Sequence, residues 1–209
     1  MLETLLIIFL ITLFYMAIAN RMRNYIRILI YQGFLLFLVA ACHLKEFNMF
    51  NLAWILLETV VFKAAAVPYC LERILRHNNI TRETEPYLPH FVSLLIVTAV
   101  VVLSFLLSGS IEDVFLDKFF FVAAVSAIFT GLYLIVSRRK ILTHVIGYCV
   151  IENGVFILSL AVGNEMPALV NLGVMLDIFA SVLILGIFAN KIGDVFHETD
   201  IDQLTGLKD

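Results

Sequence analysis

The chain is a series of long apolar runs separated by short polar connections. Runs of spanning length fall at 2–19, 26–42, 52–71, 91–107, 119–136, 142–162 and 168–189. A membrane helix uses about 20 predominantly apolar residues, so each run is long enough to cross a bilayer or nearly so. Within them hydrophobicity is continuous rather than alternating. That excludes the strands of a membrane barrel and leaves helices as the way to satisfy every backbone group in lipid. The pattern predicts an all-α, polytopic membrane protein with seven transmembrane helices.

Composition sharpens this reading. Of the 209 residues, 62% are hydrophobic and 15% charged, against about 25% charged in soluble domains. Seven spans consume roughly 140 residues, which leaves no room for a soluble catalytic domain. The expected parts are a first helical part over 1–76 (spans one to three), a loop over 77–90, spans four and five over 91–136, spans six and seven over 137–190, and an acidic tail over 191–209. The longest connection, 72–90, mixes both charge signs with Pro86 and Pro89, and 110–118 reads as a short interfacial helix. The N-terminal run follows Met-Leu-Glu with no basic leader or cleavage site, so it is expected to stay as the first span.

Charge placement predicts orientation, because Lys and Arg collect in short cytoplasmic loops. Eleven of the fourteen basic residues follow the odd-numbered spans: Arg21, Arg23, Arg27, Arg73, Arg76, Arg82, Arg138, Arg139, Lys140, Lys191 and Lys208. The opposite connections hold Lys45 and Lys118 beside Glu112, Asp113 and Asp117. The N-terminus is therefore expected outside and the C-terminus in the cytoplasm. A net charge of −3 without a basic soluble face argues against a nucleic-acid partner. Cys42, Cys70 and Cys149 stand singly in apolar runs and read as small hydrophobes rather than metal ligands or disulfide partners.

Four ionisable residues interrupt the apolar runs: Glu58 and Lys63 in span three, Glu152 in span six and Asp177 in span seven. Each costs about 3 kcal/mol at a helix centre on insertion scales, so each is a functional candidate expected to face the bundle interior. Lys63, Glu152 and Asp177 lie near the middle of their runs, which predicts a lateral row at mid-bilayer. A row suits a proton relay passing charge sideways, since burial brings carboxylates and lysine toward the range where protons exchange. Glu58 sits nearer the outer end, where water is expected to reach it. His144, Tyr148 and Glu152 repeat every four residues and share a helix face, so His144 and Tyr148 join the candidate relay set. Gly173, Asp177 and Ser181 share a face likewise. Pro68 cannot donate a backbone bond to Ala64, which predicts a kink just after Lys63.

The segments Ser137-Arg138-Arg139-Lys140, Ile146-Gly147-Tyr148-Cys149-Val150-Ile151-Glu152-Asn153-Gly154 and Met166 through Asp177, with the Asp-rich tail 200–208, together resemble component E of hydrogenase-4 type membrane complexes. Lys63 and Pro68 are compatible with that family's third span. The last three helices are also similar to the small three-helix subunit of complex I and of multisubunit cation/proton antiporters. Here the glutamate stands one turn further along, at Glu152, with Asn153 in the expected place, and Asp177 replaces a glutamate.

The resemblance implies a noncatalytic membrane subunit of a complex I-like, group 4 hydrogenase or formate hydrogenlyase-like respiratory complex, contributing buried charges to lateral proton translocation. Implied partners are antiporter-like subunits and a soluble redox arm, with the nickel-iron centre and iron-sulfur clusters in those partners. No catalytic, cofactor or metal site is expected in this chain. The alternatives are a cation/proton antiporter subunit without hydrogenase, and a structural membrane adaptor. The acidic tail is either solvated or docked on a partner.

Overall fold

A computed structural model describes residues 1–43, 53, 55–77, 87–111, 117–138 and 140–162. The described residues are helical with short connections: α1 (Leu2–Ile18), α2 (Met22–His43), a π-helical segment (Leu57–Ala66) running on into α3 (Val67–His77), α4 (His90–Ser110), α5 (Lys118–Ser137) and α6 (Ile141–Ala161). Four of these, α2, α4, α5 and α6, are long and apolar enough to cross a membrane, and α1 is a shorter apolar helix. The run over 168–189, expected as the seventh span, lies outside the described residues, as does most of 110–118.

Among the described residues α5 and α6 form the most extensive helix pair. Glycine makes this possible: a Cβ added at Gly131 would stand 2.6 Å from the Gly147 carbonyl oxygen, and one at Gly147 would stand 2.8 Å from that of Gly131. At Gly154 it would meet the Ala124 carbonyl oxygen at 2.9 Å. Three glycines therefore let two backbones touch along their length, as small residues do in membrane bundles. Asp117 caps α5 by accepting from Phe119 and Phe120, and its own N–H donates to the Ala161 carbonyl, so α5 starts where α6 ends. Tyr87 N–H bonds Ser137, which sets α4 antiparallel to α5.

α1 packs on α2, α4 and α5, while α2 joins the π segment and α3 to α6. α1 buries Leu6, Phe9, Leu13 and Met16, a helical stripe, and leaves Ile7, Ile8 and Ile11 exposed. α4 inverts the usual pattern of a soluble helix: it buries Ser93, Val97, Ser104 and Ser108 and exposes Phe91, Leu95, Leu103 and Phe105. Small hydroxyl residues inside and hydrocarbon outside is the arrangement lipid favours.

Three expectations change. Residues 72–77, read as loop, continue α3, because Leu71 and Leu75 are buried on one face while Glu72 and Arg76 pair on the other at 2.7 Å. α2 begins at Met22, ahead of its apolar run, since Tyr25 is buried while Arg23 and Arg27 reach outward on long stems. In place of a simple proline kink, the turns before Pro68 open into a π-helix, with Val67 N–H bonded five residues back to Phe62. A proline ring clashes with the carbonyl four residues behind it, and a widened turn relieves that clash.

Candidate functional site

The π segment changes which side chains share a face. In an α-helix Glu58 and Lys63, five residues apart, would diverge by about 140°. In a π-helix the bonded ring spans five residues, so the two come to the same side, and their charges interact. Glu58 is 4% exposed, which corrects the expectation of a solvated outer glutamate. The carboxyl is packed beneath the helix surface beside buried Thr59, and its Oε2 has no hydrogen-bond partner among the described residues.

Lys63 reaches α6, where its Nζ lies 4.9 Å from the centre of the Phe156 ring, within cation–π range. Phe156 is four residues beyond Glu152, about 6 Å along the helix. Glu152 is 6% exposed and sits in the same neighbourhood, for both its charge and that of Lys63 act on the buried Cys149 thiol. Two close contacts fix the relative level. Ala64, next to Lys63, abuts Gly33, where an added Cβ would stand 2.8 Å from its Cβ. Gln32, next to Gly33, bonds Asn153, next to Glu152, at 3.0 Å. Lys63 and Glu152 thus occupy a common depth on neighbouring elements. Asp177, the third member of the expected row, lies outside the described residues, as do Gly173 and Ser181.

A chain of amides and hydroxyls, absent from the sequence expectation, crosses at this depth. Asn153 donates to Gln32 Oε1, Gln32 Nε2 donates to Thr12 Oγ1 at 2.9 Å, and Thr12 donates to the Phe9 carbonyl at 2.6 Å. Gln32 is fully buried and Asn153 nearly so. The chain ties α6 to α2 and α1. Its sequence signal was a lone glutamine inside a span, which is neutral and therefore escaped a search for charges.

His144 and Tyr148 are half-buried on α6. His144 Nε2 lies 2.9 Å from the Arg138 carbonyl oxygen, and since a carbonyl only accepts, that nitrogen donates. Arg138 is the larger surprise. A loop arginine by sequence, it is 2% exposed, donates from Nη2 to the Ala17 carbonyl at 2.8 Å and lies over the Tyr25 ring at 5.9 Å. It meets the last turn of α1, where a cation complements the helix dipole. Arg21, Arg23, Arg27, Arg73, Arg76 and Lys140 gather at this same end of the bundle, because the α1–α2 and α5–α6 connections meet there and Glu72 feels both Arg23 and Arg27. Among the described residues no group of His, Cys, Asp and Glu is placed to hold a metal ion.

These features define a multi-pass helical membrane protein with charged and amide side chains buried at mid-span. Comparison with known proteins shows a likeness over the C-terminal part. Residues 119–209 match the model of NADH-ubiquinone/plastoquinone oxidoreductase chain 4L. Hydrogenase-4 component E of Escherichia coli and of Shigella flexneri are each 36% identical over 78 residues, which is 37% of this chain and 36% of the relative. The chain thus covers about a third of the length of those relatives. An uncharacterized protein of Mycobacterium tuberculosis is 23% identical over 193 residues, 90% of this chain and 87% of that protein. No solved structure matches the chain. Over residues 119–209 the chain is similar to the complex I-like membrane subunits that these matches describe.

Proposed function

We propose that this chain is a noncatalytic subunit of a complex I-like or group 4 hydrogenase-type membrane complex and carries part of a lateral proton path. Lys63, Glu152 and Asp177 are the relay groups, with Glu58 beside them. In this reading the chain has seven spans, with the N-terminus outside and the C-terminus cytoplasmic, in a prokaryotic inner membrane. Its neighbours are antiporter-like subunits, and a soluble arm holds the nickel-iron centre and iron-sulfur clusters. The observation that carries the reading is the common depth of Lys63 and Glu152, reached through the Ala64–Gly33 and Asn153–Gln32 contacts. Charges at one level on adjacent elements suit sideways transfer, whereas a transbilayer channel stacks them at successive depths.

The mechanism asks little of the chain beyond proton exchange. Lys63 releases a proton when a neighbouring carboxylate lowers its charge, and Glu152 accepts one. Protons fit better than sodium, which wants several oxygen ligands converging on one point. The test is Glu152→Gln and Asp177→Asn in the complex purified from native membranes and placed in liposomes. Assembly is expected to survive while ion translocation is lost. Wild-type translocation in both variants would refute the relay, and loss of assembly in both would favour a structural adaptor.

A further inference from the structure

The arginine-rich end of the bundle carries charge that its own carboxylates do not balance. Arg23 and Arg27 on α2 and Arg73 and Arg76 on α3 are all exposed. Of these four, only Arg76 has an ion-pair partner among the described residues, the Glu72 carboxylate. That carboxylate also feels Arg23 and Arg27, so it answers three guanidinium groups, and Arg73 is next to it in the chain. The other described carboxylates lie elsewhere: Glu58 and Glu152 at mid-span, and Glu3 and Asp117 at the starts of α1 and α5, the far end of the bundle.

Two neighbouring elements bring these arginines to one level. Gly33 of α2 abuts Ala64 of the π segment, and from that contact α2 runs back to Arg23 while α3 runs on to Arg76. The distance is about 15 Å from Gly33 to Arg23 and about 14 Å from Ala64 to Arg73. Ala64 adjoins Lys63 at mid-span, and half the hydrocarbon thickness is about 15 Å, so the guanidinium groups stand at headgroup depth. One turn nearer the centre each helix exposes a tyrosine on the same face. Tyr31 follows Arg27 and Tyr69 precedes Arg73 at helical spacing, and they are 64% and 67% exposed. The α2 face then continues in hydrocarbon with exposed Phe34 and Leu38, while the neighbouring π segment exposes Val61. Cations, then aromatic hydroxyls, then aliphatic surface mirror the phosphate, glycerol and chains of a phospholipid.

We propose that this face of α2 and α3 binds an anionic phospholipid of the bilayer, its phosphate held by Arg23, Arg27 and Arg73 and its chains laid along Phe34 and Leu38. Arginine suits the task because its planar fork donates two parallel bonds to two phosphate oxygens. A zwitterionic lipid brings its own cation to the level of four arginines, whereas an anionic lipid leaves net negative charge there. A free phosphate would match the arginines but would leave the exposed tyrosines and hydrocarbon below them uncovered. The site stands whether or not the chain moves protons.

Native mass spectrometry of the full chain in mild detergent tests it. The wild type is expected to retain phosphatidylglycerol about tenfold better than phosphatidylcholine with the same chains. Arg23→Gln combined with Arg27→Gln is expected to cut phosphatidylglycerol retention by about tenfold and leave phosphatidylcholine retention unchanged. Lys118→Gln, an exposed cation at the far end, is expected to change neither. Inorganic phosphate is expected not to displace the lipid. Equal retention of the two lipids by the wild type overturns the proposal, which keeps it falsifiable even if the double variant fails to fold. Full phosphatidylglycerol retention in that variant also overturns it, and displacement by phosphate assigns the arginines to a free anion instead. An acidic segment of another subunit seated on the four arginines in the native complex would likewise replace the lipid.

Discussion

The side-chain amide of Asn153 donates to that of Gln32 across 3.0 Å between α6 and α2, and both residues are buried. Residues distant in the chain are thereby fixed in register at the level of Lys63 and Glu152. A hydrogen bond of this kind selects one sliding position of two helices that apolar packing alone would leave loosely specified.

Gln32→Leu leaves the Asn153 amide without its partner and takes away the bond that Thr12 accepts, and is expected to destabilise the bundle by about 1–3 kcal/mol. In a double-mutant cycle with Asn153→Ala, Gln32→Ala should show a coupling of about 0.5–1.5 kcal/mol, the range of interhelical bonds in membranes. Unfolding followed in mild detergent measures both. Strict additivity would mean that the bond contributes nothing to the register.

Gly131→Ala is expected to be damaging and Gly109→Ala silent. The new methyl at 131 would fall 2.6 Å from the Gly147 carbonyl oxygen and 2.7 Å from Ile151 Cγ1, whereas at 109 nothing lies within 4 Å. Backbone cannot step aside as a flexible side chain can, so α5 and α6 must part, at about 1–3 kcal/mol. Folded yield from membranes and thermal stability of the two variants provide the comparison.

Arg138→Ala removes the charged bond to the Ala17 carbonyl and the contact with Tyr25. The expected loss is about 1.5–3 kcal/mol, the value of a hydrogen bond with a charged partner. Proteolysis at the α1–α2 connection should quicken in the variant if Arg138 holds that connection, and an unchanged cleavage rate would show that it does not.

Glu72 is an exposed residue whose carboxyl is held below the usual carboxylate range by the hydrogen bond and charge of Arg76, with smaller help from Arg23 and Arg27. Because the folded pKa is depressed, the pair's stabilising effect is present above the unfolded carboxylate pKa and fades as pH falls through the folded value. Arg76→Gln should move the Glu72 titration midpoint upward, as should added salt in the wild type. Carbon-detected NMR of the labelled carboxyl reads this directly, and an unmoved midpoint would discount the pair.

The helical, membrane-spanning character was legible because burial in lipid demands long uninterrupted apolar runs, and such runs need no tertiary partner to be recognised. The gathering of arginines at one end was legible for the same local reason. Lys63, Glu58 and Glu152 announced themselves by charge inside hydrocarbon. Gln32 and Thr12 did not, because a neutral polar residue in a span carries too small an insertion penalty to stand out. Arg138 looked like any loop cation, and only packing revealed that it is buried.

What the sequence determined by itself was therefore the medium and the candidates: hydrophobic length set the helices, and misplaced charge marked the residues of interest. Only the tertiary structure decided which of them meet. The π turns that bring Glu58 beside Lys63, the glycine contact of α5 with α6, and the Gln32–Asn153 bond that levels Lys63 with Glu152 all depend on how helices distant in the chain press together. Local periodicity carries no information about that approach, since the same apolar face is compatible with many neighbours and only close packing with paired polar groups selects one.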